Sequence, residues 1–478
     1  MNDIKTKVFK EPKIIDFKDE LSKAFINVKK QNQCLIYLIK YNNIDNKNIP
    51  KYVFNHYKKI VDDHVDGELI YIPRENDNNV SCIVLYGKDK IKSINQYLGA
   101  LVNSKIKNRY WKLKNKLTKK EEYNFHLGWF LNQYKFNTIK FYNFIELPDS
   151  INKNEFVSII SGIYFGKELI NIPSSDMGPD NLEASFINFA QSHKVPFTIY
   201  KNDKIIEEFP LIHAVGKGSK QKPRLLELNS YKNKKYPLVI LVGKAVCFDT
   251  GGLDLKPSQY MINMKKDMGG AASVLALSNI ILESNLKLNL KLLIPTVDND
   301  IGPNSMRPGD VYNSRAGITV EIGNTDAEGR LILADALHYA DSFKPKIIID
   351  YATLTGAARV ALGPDLPAYY THHEDIASLI NNFSIIEKDP LWRLPLYSPY
   401  TTWLDSEVAD TNNISQGAFA GSITAALFLN KFVKSATKWI HIDTYAWSNT
   451  NKPGHSKGGD ILGVRSVYKF LRNYINNL

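Results

Sequence analysis

From about residue 165 to the end of the chain, short apolar runs alternate with segments of helical pattern, and this alternation restricts the fold more than any other feature. The clearest runs are Leu211 to Val215, Leu238 to Gly243, Leu290 to Thr296, Ile347 to Tyr351 and Trp439 to Asp443, each read as a strand. Strands that alternate with helices imply a largely parallel sheet covered on both faces. In such sheets functional sites lie beyond the carboxyl ends of the strands. Residues 1–145 read as a smaller α/β unit, with strands at Gln33 to Ile39 and Val80 to Tyr86 between Asn-rich turns. A chain of 478 residues is too long for one core. The expectation is therefore an α/β protein of two domains. A smaller N-terminal domain covers 1–145 and a linker with a helix covers 146–165. A larger C-terminal domain over 166–478 carries a largely parallel or mixed sheet covered by helices. The boundary falls at Leu147-Pro148-Asp149-Ser150, and Glu155 to Leu169 reads as a helix leading into the second domain.

No run approaches the roughly 18 apolar residues of a membrane span, and the first residues, Met1 to Lys7, lack the apolar stretch of a secretory signal. Cys34, Cys82 and Cys247 are an odd, widely spaced set without a CxxC pair. Reduced thiols in the cytoplasm are the simplest reading, with no membrane partner. The net charge of +12 raises the question of nucleic acid, and its distribution answers most of it. Residues 1–150 hold 27 basic against 17 acidic side chains, so the remainder of the chain is nearly balanced. The densest basic stretch is Lys105 to Lys120. A solvated face is the favoured reading of that stretch; contact of the basic N-terminal domain with nucleic acid is the weaker alternative.

Two groups of acids closely follow apolar runs. Asn324-Thr325-Asp326-Ala327-Glu328-Gly329-Arg330-Leu331 places two carboxylates two residues apart and an arginine at the start of an apolar helix, a pattern suited to a divalent cation and an anion. Upstream lie Lys244, Asp249, Lys256 and Asp267, within Gly243 to Gly252 and Lys266 to Gly270. Helix capping explains one acid of the first group. It does not explain Asp249 before Thr250-Gly251-Gly252 or Asp267 before Gly269-Gly270, where glycines signal a close backbone approach. No HExxH or GxSxG is present, and His441, inside an apolar run, reads as a core residue. Oxygen-rich coordination favours Mg²⁺, Mn²⁺ or Zn²⁺. Two such ions can share a water and polarise a carbonyl, which points to metal-assisted hydrolysis. Of two lysines at such a site, one can ligate when deprotonated and one can stabilise an oxyanion. Val215-Gly216-Lys217-Gly218 lacks the rest of a phosphate loop, so nucleotide binding is not expected there.

These blocks, in this order and spacing, resemble the leucine aminopeptidase (cytosol aminopeptidase) family, in its bacterial type. The likeness continues through Asp350 to Ala357 and reaches Gly458-Gly459, covering about residues 165–478. It implies a metalloaminopeptidase of broad, Leu- or Met-like first-residue preference, acting on peptides and assembled as a homohexamer, a dimer of trimers. It also implies residue roles. Lys244, Asp249, Asp267 and Glu328 would hold a tight metal, and Asp249, Asp326 and Glu328 a more exchangeable one. The ions would be Mn²⁺ or Zn²⁺, with Mg²⁺ or Co²⁺ as alternatives at the exchangeable site. Lys256 would stabilise the gem-diolate, and Arg330 would anchor a bicarbonate acting as general base. Met264, Thr353, Leu354 and Gly356 would line the first-residue pocket. Two departures stand out. Tyr445 and Trp447 occupy places where many members carry smaller residues, and Ser174 to Pro179 resembles a linker variant of a bacterial branch.

Overall fold

The computed structural model describes residues 8–24, 33–41, 49–60, 65–73, 80–88, 90–106, 110–138, 140–141, 143–434 and 437–477. The chain divides into two compact units: residues 15–164 with 449–457, and residues 1–14 with 165–448 and 458–478. The division falls within the helix Lys153–Asn171.

The smaller unit is built on a five-stranded sheet in the order Leu69–Pro73, Val80–Tyr86, Gln33–Lys40, Tyr110–Leu113 and Phe144–Ile145. Gln33–Lys40 lies between parallel neighbours, which is why its sequence reads as an almost unbroken apolar run. The helix Lys119–Leu131 begins in a capping box formed by Thr118 and Glu121. The basic stretch is spread over several elements. Lys105 donates to the Gly67 carbonyl and Lys112 pairs with Glu146 at 2.7 Å, while Lys107 and Arg109 lie outside the described residues.

The larger unit holds a nine-stranded mixed sheet. Its centre is four parallel strands: Trp439–Asp443, Ile347–Ala352, Leu238–Gly243 and Asn289–Asn299. Arg224–Ser230 and Ala368–Tyr370 add antiparallel flanks, and Ala245–Asp249 runs parallel to the far end of Asn289–Asn299. Successive strand residues face opposite ways. Ile240 and Val242 enter the apolar core shared with Leu331, Ala336 and Leu337 of the helix Glu328–Ser342. The next residue, Gly243, faces Ala271 and Val274 of the helix Gly269–Glu283. Helices thus cover both faces, and the strand ends are left as the open edge of the layer.

One expected strand is a helix. Leu211 to Val215 lies in the buried helix Pro210–Gly216, with proline in its first turn. The amides of Leu211 and Ile212 donate to the buried carboxylate of Asp335, which replaces the strand partners those amides would have needed. A short unbroken apolar run carries no period that separates the two states. His441 is fully buried, its Nδ1 2.5 Å from Asp350, in agreement with its reading as a core residue.

Candidate metal centre

The centre forms where the parallel strands end. Leu238–Gly243 delivers Lys244, whose backbone amide donates to the Tyr351 carbonyl on the neighbouring strand. The helix Gly269–Glu283 starts against this point. A Cβ on Gly270 would lie 2.2 Å from the Tyr351 oxygen, so the close approach requires glycine. After Asp249 the chain reverses through Gly251 and Gly252, with φ of 91° and 67°, in the left-handed region that glycine adopts without strain. That reversal returns Lys256 to the same place, its amide donating to the Thr250 carbonyl.

Carboxylate oxygens of Asp249, Asp326 and Glu328 all lie within 4.8 Å of one another. The Lys244 ammonium sits 2.5 Å from Asp267 and 3.1 Å from Glu328, and donates to the Thr353 carbonyl at 3.0 Å. The Lys256 ammonium is 2.7 Å from Asp249 and also pairs with Asp326. Asp249, Asp267, Glu328 and Lys244 are buried, while the Asp326 side chain is 33% exposed, so the centre has one accessible side.

Crowding of like charges shows in the proton affinities. Burial, followed by the charges of Asp249 and Asp267, pushes the Glu328 carboxyl up to about 8. Burial and Asp249 push Asp326 up to about 6. Burial also raises Asp267, but Lys244 and Lys266 outweigh it and hold that carboxyl below its ordinary range. Burial disfavours the Lys244 and Lys256 ammonium ions, yet the surrounding carboxylates outweigh it and keep both protonated. Lys244 and Glu328 are thus both drawn to their protonated forms. The close Asp267 contact makes Asp267 the ionised partner of Lys244, and Glu328 the acid that retains a proton. A set of acids that must hold protons and ammonium ions to coexist fits divalent cations, which neutralise the same oxygens.

Several supporting residues were not legible in the sequence. The Asn299 amide donates to Asp249 at 2.9 Å and to the Thr325 carbonyl at 3.1 Å, tying the two acid-bearing loops together. Asn413 accepts from the amides of Gly323 and Asn324 and donates to the carbonyls of Asn324 and Ala327. It braces the turn that presents Asp326. Asp254 accepts from the Thr325 amide, and the Thr325 hydroxyl donates to the Gly251 carbonyl. Asp443, at the end of its strand, accepts from the amides of Leu354 and Thr355. Asparagine is common throughout this chain, so residue type alone gave no signal at Asn299 or Asn413.

The other sequence candidates divide. Thr353 joins the centre, its hydroxyl donating to Asp267 at 2.7 Å. Met264 begins a 3₁₀ turn and is half-buried. Leu354 packs against the large apolar core, and Gly356 is exposed, with open space for 4 Å around the point where a Cβ would stand. Arg330 donates through Nη1 to the Asn413 carbonyl, while its buried Nε has no partner among the described residues. Burial lowers this guanidinium to about 10, which leaves it charged at neutral pH. Tyr445 is half-buried and Trp447 buried. A separate cavity of about 860 Å³, lined by His213, Lys217, Lys222, Arg307 and Tyr312 among others, shares no residue with this centre.

The sequence profile of the cytosol aminopeptidase family, catalytic domain, matches residues 164–468. A protein named a probable cytosol aminopeptidase from Chlamydia abortus is 38% identical over 338 residues, 69% of this chain and 67% of that protein. The cytosol aminopeptidase of Encephalitozoon cuniculi is 42% identical over 315 residues, 64% of each chain. These matches span about two thirds of each relative's length. Among solved structures, the cytosol aminopeptidase from Coxiella burnetii superposes with a TM-score of 0.88 at 36% identity, over 94% of this chain and 99% of that one. The bottromycin maturation enzyme BotP in complex with Mn gives a TM-score of 0.83 at 26% identity, over 93% of this chain and 100% of that one. Among the described residues, no helix is long and apolar enough to cross a membrane.

Proposed function

The chain belongs to the cytosol aminopeptidase family of metallo-aminopeptidase hydrolases, and from that premise we propose that it removes N-terminal residues from peptides at a centre holding two divalent cations. The observation that carries the reading is the convergence of Asp249, Asp326 and Glu328 within 4.8 Å, flanked by Lys244 and Lys256. Lys244, Asp249, Asp267 and Glu328 would hold the tighter ion, and Asp249, Asp326 and Glu328 the more exchangeable one. Mn²⁺ or Zn²⁺ suits this donor set, with Mg²⁺ or Co²⁺ as alternatives at the exchangeable position. When bound, such a pair of ions lowers the pKa of water and polarises a carbonyl.

The chain's own groups supply the rest. Lys256, on the accessible side with Asp326, keeps its proton and offers positive charge to the oxygen of the scissile carbonyl as that oxygen becomes anionic. Lys244 must lose its proton to become a ligand, so loading of the centre releases a proton that the Asp267 contact otherwise retains. The unpartnered Nε–H of Arg330 is a buried donor suited to a small anion. Bicarbonate held there would take the proton of the attacking water, a role for which the centre offers no histidine. The carboxylate-lined opening would place the free amine of the substrate among anions and cations that an internal peptide bond cannot engage. A cytoplasmic location and a homohexamer, a dimer of trimers, complete the reading, and light scattering on the purified chain tests the assembly.

The test is hydrolysis of amino-acyl p-nitroanilides and their N-acetylated forms by metal-stripped protein, before and after addition of Mn²⁺ or Zn²⁺. Metal-restored cleavage confined to the free-amine forms is the expected result. Equal cleavage of the blocked forms would remove the amine requirement, and cleavage without metal would remove the centre from the mechanism.

A further inference from the structure

Lys266 stands beside the metal centre without a direct ion pair or hydrogen bond to its ammonium among the described residues, although the charge of Asp267 acts on it. The residue is only 5% exposed. It directly precedes Asp267, yet the oxygens of that carboxylate are engaged by Lys244 at 2.5 Å and by the Thr353 hydroxyl at 2.7 Å. Among the described residues the Lys266 ammonium has no ion pair or hydrogen bond; its contact is the ring of Tyr445, 5.0 Å from the centroid. A second cation bears on the same ring. The guanidinium of Arg359, three residues along the helix from Gly356, lies 4.8 Å from the centroid and is likewise without an acidic partner among the described residues. Asp443, two residues before Tyr445, does not supply the missing charge to either. One of its oxygens accepts from the amides of Leu354 and Thr355, the other from the hydroxyls of Thr355 and Ser422. A ring face offsets only part of the cost of burying an unpaired ammonium.

The location gives these cations a use. Tyr445 and Arg359 share with Thr355, Ala358 and Asp443 a cavity of about 10 Å³, room for one water at most. It is too small for any first side chain, acidic or apolar, and Lys266 is not among its lining residues, so it marks the packing of the ring against Arg359 and not a binding space. The segment 353–356 runs from the Lys244 and Asp267 contacts of Thr353 to the start of the helix that carries Arg359. A side chain entering beside the metal centre along this segment would meet the Tyr445 ring with the Lys266 ammonium and the Arg359 guanidinium held against it. We infer that Tyr445, Lys266 and Arg359 form a carboxylate-selecting floor for the first side chain, so that peptides beginning with aspartate or glutamate are preferred over those beginning with leucine or methionine. This inference rests on the aminopeptidase reading and replaces the apolar preference that the family resemblance implies.

The experiment measures kcat/KM of the Mn²⁺-loaded full chain on Glu-, Asp-, Leu- and Ala-p-nitroanilide, for the wild type and for Lys266→Met, Arg359→Met and Lys266→Arg. Loss of one charge-assisted contact is read as a fall of about tenfold or more in the Glu-to-Leu ratio. The expected result is a wild-type ratio above one, lowered by that factor in Lys266→Met, lowered in Arg359→Met, and largely retained in Lys266→Arg. A wild-type preference for Leu, or a Lys266→Met variant that loses Glu and Leu turnover equally, overturns the inference and leaves the aminopeptidase reading intact. Cleavage of none of the four overturns the aminopeptidase reading itself. The floor is then judged by thermal protection: free glutamate must raise the melting temperature of the wild type more than leucine does, and Lys266→Met must abolish that difference.

Discussion

Asn299 carries no candidate catalytic role, and replacing it with leucine tests how far the metal centre depends on the residues that aim its ligands. Leucine matches asparagine closely in shape but removes both donated hydrogen bonds of the buried amide. One goes to the Asp249 carboxylate at 2.9 Å and the other to the Thr325 carbonyl at 3.1 Å. Asp249 keeps the Gly251 amide on one oxygen and Lys256 on the other, so it remains anchored but loses its tie to the loop that bears Asp326. A hydrogen bond to a buried charge is worth about 1.5–3 kcal/mol, and an orphaned carbonyl costs about 1–3 kcal/mol. The metal-free variant should therefore be less stable than the wild type by about 3–5 kcal/mol. Only the part of that loss that differs between the free and loaded states enters metal affinity. Removing a residue that orients a ligand typically weakens binding by about 10–100-fold. Calorimetric titration of stripped protein with Mn²⁺ reads the affinity, and urea unfolding of the same samples reads the stability. A change below about twofold in affinity, with stability lowered as expected, would refute the idea that the link between the two loops tunes the centre.

Lys256→Ala should lower kcat by roughly 10²–10³-fold, the size of losing one group that stabilises an oxyanion, while metal content by elemental analysis stays at the wild-type level; near-normal turnover would end its assigned role. In Asp326→Ala the weaker of two metal-binding steps should be lost and the tighter one kept, because Asp326 is paired with Lys256 and lies on the exposed side; equal weakening of both steps would contradict the division of ligands. Asp335 sets a pH dependence away from the centre. Burial pushes its carboxyl up to about 7 despite hydrogen bonds from the amides of Arg315, Leu211 and Ile212. The unfolded chain ionises near 4, so the folded state holds the extra proton, and stability falls as pH rises from about 4 to about 7. Asp335→Asn should flatten that fall, read as the difference in urea midpoint between pH 5 and pH 7.5; an unchanged slope would show that Asp335 is ionised in the folded protein throughout.

What could be read from the sequence follows the range over which each signal acts. The central strands were legible because burial on both faces of a parallel sheet demands unbroken apolar runs, as at Leu238–Gly243 and Ile347–Ala352. The same rule misplaced Leu211 to Val215, since a buried helix of seven residues has the same composition. What decided it was Pro210 together with a carboxylate more than 120 residues away. The acids and lysines of the centre were legible because glycines and carboxylates stand together in short blocks. Asn299, Asn413 and Asp443 were not, because their roles arise only when the ends of separate strands and loops meet.

Electrostatics connects the two parts of the site. Around Lys244 and Lys256 four carboxylates outnumber two ammonium ions, and the surplus is relieved by a proton held on Glu328. Around Tyr445 the balance is reversed, with two cations and no free acid among the described residues. Each region is incomplete in the opposite sense, and one peptide beginning with an acidic residue matches the second while divalent ions match the first. Loading the first region with cations raises the local positive potential, which strengthens the attraction of the second for an anionic side chain. First-residue selectivity and metal occupancy should therefore be coupled. The Glu-to-Leu binding ratio, measured as thermal protection, should be larger for metal-loaded than for metal-stripped protein, and a ratio independent of metal would place the two regions out of electrostatic reach of each other.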